Sequence, residues 1–216
     1  MKRLALLLGL LALPAAAEPP DAALVGALGV ELQKPAGDGV TFSHGSGVYL
    51  GDGLVLTAAH VVSINPSERK VSVSLDGWLT DATIEAIGEP SLDLALLKIA
   101  PAELSHQRSA LKPVDVCTVG TAPNQPVLVA ATGKVTIANT IGTPIHSSTF
   151  NSDWSTLLSA RFEQGNSGGG VFDAAKGCLA GIIIIGATDP GAKVTEFVPA
   201  AKISMFLAVH RPTTPR

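Results

Sequence analysis

The chain is 216 residues long, 46% hydrophobic and 15% charged, with a net charge of −3. That length allows one or two compact units with enough chain to bury a core, and no long basic or acidic run supplies an electrostatic footprint for nucleic acid. Val and Thr are frequent and Gly numbers 22, a composition that leans toward β structure.

The chain opens with an export signal. Lys2 and Arg3 form a short positive region, Leu4 to Leu13 an apolar run, and Pro14-Ala15-Ala16-Ala17 supplies small residues before Glu18. The expected cut lies between Ala17 and Glu18. The apolar run is too short for a spanning helix, which needs about 20 residues. A soluble exported product, periplasmic or secreted, is therefore expected, with no stable membrane insertion. Residues 18–22 read as an extended leader.

Val25 to Leu32 is a candidate first strand, and Gly37-Asp38-Gly39 a turn. Val40 to Leu50 reads as a strand, Gly51-Asp52-Gly53 as a tight hairpin turn, and Leu54 to Thr57 as its partner. Val71 to Leu75 and Asp81 to Ile87 alternate with period two, and Leu94 to Ile99 is a continuous apolar strand. Residues 101–115, with Pro101 and Pro113, read as the link between two β-rich halves, giving units of 18–108 and 109–216 after the signal at 1–17. The second half has strand candidates at 126–132, 133–139, 156–162, 169–173, 178–185 and 193–198, then a short closing helix over 199–208. Short, regularly spaced strands suggest a sandwich or barrel.

Three clusters have the residue types for chemistry: Thr57-Ala58-Ala59-His60, Leu92-Asp93-Leu94-Ala95-Leu96-Leu97-Lys98-Ile99, and Gly165-Asn166-Ser167-Gly168-Gly169-Gly170. A serine hydroxyl is a poor nucleophile unless a base adjoins it and donors face the oxyanion that forms. The glycines around Ser167 permit unusual backbone angles, so that the amides of Gly165 and Ser167 can converge on one small pocket. The bland alternative is a Gly-rich turn with an ordinary serine. His60 is the candidate base, taking a proton from Ser167 and returning it to the leaving group; taken alone it would be read as a buried histidine. Asp93 heads an apolar strand, where a carboxylate is costly unless hydrogen-bonded. A histidine N–H is one such partner, and a water-facing strand-start aspartate is the other reading.

Together, in the order His, Asp, Ser, the motifs T-A-A-H, D-L-A-L-L-K-I and G-N-S-G-G resemble those of the trypsin/chymotrypsin-like serine peptidases over roughly residues 40 to 200. The closer similarity is to the exported bacterial type and the HtrA-type protease domain without a PDZ domain. The resemblance implies an all-β, chymotrypsin-like fold of two six-stranded antiparallel β-barrels with the active site in the cleft between them. It implies a serine endopeptidase acting through an acyl-enzyme, with His60, Asp93 and Ser167 as triad and the Gly165 and Ser167 amides as oxyanion hole. The substrate is then a protein or peptide. Ile184, Ile185 and Gly186 resemble the segment that pairs with an extended substrate by strand addition, and Arg161 falls where trypsin-like relatives carry their pocket acid.

Departures from the pattern carry meaning. Asn166 replaces the aspartate that pairs with a freshly cut N-terminus in zymogens, which argues against that route of activation. Ile184 stands where many relatives have a serine. Arg161 argues against cleavage after Lys or Arg; it either favours an acidic side chain or points away, and small or medium apolar residues are the preferred reading. Histidines and cysteines are scattered singly, so no metal set and no cofactor is expected. The two cysteines, Cys117 and Cys178, can form one bridge in an oxidising compartment or remain two buried thiols. A catalytically weak or inactive protease-like binding protein and an esterase on the same fold are the competing readings.

Overall fold

The computed structural model describes residues 29–36, 39–62, 70–75, 78–100, 112–131, 134–142, 156–186 and 194–211. The expected export segment, its cut and most of the link at 101–115 lie outside them.

The first half holds strands β1 (Gly29–Ala36), β2 (Gly39–Ser46), β3 (Val48–Gly51), β4 (Leu54–Ala58), β5 (Lys70–Leu75), β6 (Trp78–Ile87) and β7 (Leu94–Ile99). A single helical turn, α1 (Ala59–Val62), follows β4. The strands form one sheet in the order β2-β1-β5-β6-β7-β4-β3. Its two edges, β2 and β3, are consecutive in sequence, with only Gly47 between them. One run of chain, 39–51, thus pairs with β1 through its first part and β4 through its second. Seven assigned strands are therefore six runs of chain wrapped toward closure. This differs from the single strand expected over Val40 to Leu50, because a run serving both edges must bend.

The second half is a closed six-stranded barrel of β8 (Pro126–Ala131), β9 (Lys134–Gly142), β10 (Thr156–Leu158), β11 (Gly170–Asp173), β12 (Leu179–Gly186) and β13 (Thr195–Pro199), ordered β10-β13-β12-β11-β8-β9. β10 stops at Leu158, short of the expected 162. Beyond it the Phe162 amide leaves the ladder and donates to Thr195 Oγ1 at 2.9 Å. Helix α2 (Ala200–His210) closes the chain and buries Ala200, Ile203, Phe206 and Leu207, the 3–4 residue spacing of one helix face.

Burial explains the apolar runs. Within the barrel, Val127, Val129, Leu158, Val171, Ile183 and Phe197 form one cluster. A second, larger cluster joins Leu56, Leu96 and Leu97 of the first sheet to Leu128, Phe172, Ile182 and Ile184 of the barrel and to Phe206 of α2. Ile182 and Ile184 of β12 face the shared core and Ile183 between them the barrel core, while Ala180 packs with Cys117 and Ala200, so Leu179–Ile184 reads as an unbroken apolar run. Each fully buried Ile or Leu contributes roughly 1.5–3 kcal/mol, and the shared cluster binds the two halves together. The fold is chymotrypsin-like: mostly β, two strand-built halves and a short C-terminal helix.

Candidate active site

The His60–Asp93 pair follows from strand register. β4 and β7 are antiparallel, with Leu54 opposite Lys98 and Ala58 opposite Leu94. One step further along, the Ala59 amide donates to the Asp93 carbonyl at 3.0 Å. The ladder thereby delivers Asp93 to the start of α1, beside His60. The Asp93 carboxylate takes two hydrogen bonds, from the His60 backbone N–H to Oδ1 at 2.8 Å and from His60 Nδ1 to Oδ2 at 2.7 Å. A carboxylate only accepts, so the shared proton sits on Nδ1 and Nε2 is left as an acceptor. Asp93 reaches this geometry with φ 48°, a left-handed conformation that aspartate and asparagine adopt more readily than other non-glycine residues. The Asp93 side chain is 18% exposed and that of His60 44%, so the carboxylate is sheltered and the ring faces outward.

Ser167 lies in the loop between β10 and β11, and contacts on every side hold that loop. Its carbonyl accepts from the Ser46 amide at 2.7 Å, the Gly168 amide donates to Ile183 O at 2.7 Å, and the Gly169 amide donates to Asn166 O at 2.9 Å. Gly168 has φ 86°, and a Cβ there would lie 2.0 Å from Ser46 O and 2.4 Å from Thr57 Oγ1. Only glycine fits such an approach of loop to strand. Thr57 Oγ1 in turn donates to Ser46 O at 2.7 Å. A trans peptide points its C=O and N–H in opposite directions. Drawing Asn166 O inward onto Gly169 N therefore turns the Ser167 amide outward, and among the described residues no acceptor takes that amide.

The Ser167 hydroxyl donates to Ile184 O at 3.5 Å. Among the described residues no hydrogen bond joins it to His60. Ile184 is set there by a bulge: Ile183 pairs with Phe197 and Ile185 with Glu196, leaving Ile184 as an extra residue in β12. Bulges of this kind re-aim backbone groups beside active sites. The Ile184 side chain belongs to the shared core, so its carbonyl, not its side chain, faces the serine. Ile185 and Gly186 pair with β13 through Glu196 and Thr195; on the other side, β11 pairs with β12 up to Gly170–Ile182, and the Ser167 loop takes both backbone groups of Ile183 through Gly168 and Gly169.

The other expected residues fall as follows. Gly165 has φ 95° and lies two residues before Ser167. Arg161 is exposed while the neighbouring Phe162 turns into the barrel core. The Asn166 side chain accepts from the Glu163 amide at 3.4 Å and so closes the loop locally. Cys117 and Cys178 are joined in a disulfide, with Cα atoms 5.1 Å apart. Among the described residues the Asp173 carboxylate groups with the two sulfurs, and bonded sulfurs offer no thiolate to a metal. Among the described residues no helix is long and apolar enough to cross a membrane.

Two contacts that sequence reasoning missed are the docking of Ser46 onto the Ser167 loop and the role of the Ile184 carbonyl. The short run Gly45-Ser46-Gly47 held the available signal for the first, since small residues permit close backbone approach.

No curated protein matches the chain. Among solved structures, the Rv3671c protease from M. tuberculosis in its active form aligns with a TM-score of 0.65 at 21% identity, covering 98% of this chain and 97% of that one. An inactive form of Rv3671c from M. tuberculosis H37Rv carrying a serine-to-alanine substitution aligns with a TM-score of 0.63 at 22% identity, covering 94% and 96%. At these identities the likeness establishes a shared fold. Residues 45–182 match the family described as the trypsin-like peptidase domain, and over that span, which contains His60, Asp93 and Ser167, the chain belongs to the trypsin-like peptidase family.

Proposed function

We propose that the protein is a serine endopeptidase in which His60, Asp93 and Ser167 act as the triad. The observation that carries this reading is the doubly bonded Asp93 carboxylate, which holds His60 in the tautomer with Nε2 free to accept a proton. In the reaction, Ser167 Oγ attacks the scissile carbonyl while His60 Nε2 takes its proton. The developing oxyanion is held by the amides of Gly165 and Ser167. His60 then gives the proton to the leaving amine, and water hydrolyses the acyl-serine by the reverse sequence. Asp93 keeps Nδ1–H in place and stabilises the imidazolium. The edge of β12 past Ile183, whose own N–H and C=O are taken by Gly169 O and the Gly168 amide, lies beside Ser167 and suits an extended peptide added as a further strand. The exposed Arg161 weighs against cleavage after basic residues. Export to a periplasm or out of the cell accords with the N-terminal sequence and with a disulfide, which persists in oxidising compartments.

A second reading draws on the Ser167 hydroxyl, which is donated to Ile184 O at 3.5 Å. Attack requires that hydroxyl to rotate toward His60, so a weakly active binding protein is the competing function. Labelling the purified protein with a fluorophosphonate probe, with Ser167→Ala alongside, decides between them. Labelling of the wild type alone is expected. A folded wild type that takes up no probe would shift the assignment to the binding protein.

A further inference from the structure

The Ser167 loop has a weak point at Gly165. Its φ is 95°, and a Cβ built there would meet nothing within 4 Å. A side chain there would have room, so sterics do not fix the angles of this residue, and with glycine's broad backbone freedom the hydrogen bonds of its flanking peptides set them. The Gly165–Asn166 peptide is held at both ends. Its N–H donates to Glu163 O at 3.1 Å, and its carbonyl accepts from the Ser46 hydroxyl at 3.1 Å. The first contact is local to the loop. The second comes from the end of β2, 119 residues away in sequence and in the other half of the molecule.

Ser46 is well placed to be that anchor. It is 1% exposed, its carbonyl is gripped by Thr57 Oγ1 at 2.7 Å, and its amide already holds the Ser167 carbonyl at 2.7 Å. One residue therefore contacts two carbonyls of the loop, on either side of the outward-facing Ser167 amide. The backbone contact persists with any residue at 46 except proline, whereas the hydroxyl contact to Gly165 is specific to this side chain.

We propose that Ser46 is a positioning residue for oxyanion stabilisation: its hydroxyl fixes the Gly165–Asn166 peptide and thereby keeps the Gly165 amide aligned with that of Ser167. This rests on the reading of Ser167 as the nucleophile. A small rotation about Gly165 misdirects one of two donors, and loss of a single such donor costs about 10²–10³ in rate. Partial misalignment is expected to cost about 10-fold.

The test measures the second-order rate of fluorophosphonate labelling of Ser167 across pH in the full chain, for wild type, Ser46→Ala and Ser46→Thr. Ser46→Ala should lower the plateau rate about 10-fold, leave the shape of the pH profile unchanged, and unfold near the wild-type temperature. Ser46→Thr, which keeps a hydroxyl, should label faster than the alanine variant. If Ser46→Ala does not fold, Ser46→Cys preserves the volume with a much weaker donor and takes its place. The proposal is overturned if the variant lacking the hydroxyl labels at the wild-type rate, if its loss only tracks the unfolded fraction, or if Ser46→Thr labels as slowly as the alanine variant. A wild type that does not label overturns the nucleophile reading itself and this proposal with it.

Discussion

The two sides of the candidate site are held in different ways. His60 and Asp93 meet because β4 and β7 are neighbours in one sheet, and the register Ala58–Leu94 carries one residue further to Ala59–Asp93. The Ser167 loop is shaped by contacts from outside its own hairpin: Ser46 from the other half, Ile183 from β12, and the missing Cβ at Gly168. The first side is a by-product of strand pairing. The second exists only when the two halves dock. A ladder tolerates conservative change at its end, whereas a close backbone contact between two units does not.

The largest expected effect tests the ladder side. Asp93→Asn should keep the fold, because asparagine tolerates positive φ nearly as well as aspartate, yet lower kcat by roughly 10⁴ by favouring the wrong histidine tautomer. Steady-state kinetics beside a thermal melt check this. A collapse in Tm with kcat retained in the folded fraction would make Asp93 structural and remove the contrast.

The docking side is expected to fail through stability. At Gly168→Ala, the strained φ and the contact with Ser46 O together cost about 3 kcal/mol or more. At Gly165→Ala, where space is open, only the backbone term of about 1–2 kcal/mol applies. Urea denaturation of both variants measures the difference. Equal losses would mean that close approach to Ser46 does not hold the loop.

A comparable effect is expected away from the site. The disulfide closes a loop with a sequence separation of 61 and ties Cys117, whose amide donates to Leu179 O at 2.9 Å, to the foot of β12. On the chain-entropy account, replacing both cysteines with alanine lowers stability by about 2–4 kcal/mol. Labelling of Ser167 at low temperature should be unchanged, because the bridge acts mainly on the unfolded chain. Loss of labelling in the folded double variant would show that the bridge shapes the loop as well.

The smallest expected effect concerns Asp173 at the end of β11. Burial raises its carboxyl, but the amides of Lys176 and Ala175, the Lys176 charge and the Gln125 side chain together bring it below the ordinary carboxylate value. A carboxyl lower in the folded than in the unfolded state adds stability above the unfolded pKa, and that contribution is lost as pH falls through the folded one. Stability should therefore decline below about pH 4, and Asp173→Asn should flatten that part of the urea-midpoint profile. An unchanged acid limb in the variant would assign the loss to other groups.

Much of the architecture was legible in the residues. Leu94–Ile99 forms β7 over the span its apolar run marks, and Gly51-Asp52-Gly53 is a turn, with Asp52 at φ 53°. The closing helix begins one residue after its expected start and runs two residues past its expected end. Where the reading missed, a contact distant in sequence had intervened. The run 40–50 divides at Gly47 because it serves both sheet edges, and β10 ends early because Phe162 turns to Thr195. The three clusters with residue types suited to chemistry were legible because short motifs record local backbone demands: glycines where a loop must pass close, and a polar residue at the end of an apolar strand.

By itself, then, the sequence determined the strands, the turns and the identity of the chemically capable residues, since these depend on side-chain pattern and local backbone preference. Only the tertiary structure decided which partner each group takes. The Ser167 hydroxyl faces Ile184 O, the Gly165 carbonyl meets Ser46, and Cys117 is bonded to Cys178. These pairings join residues 17, 119 and 61 positions apart. They depend on how two sheets and a bulge pack together, and no local pattern along the chain encodes that.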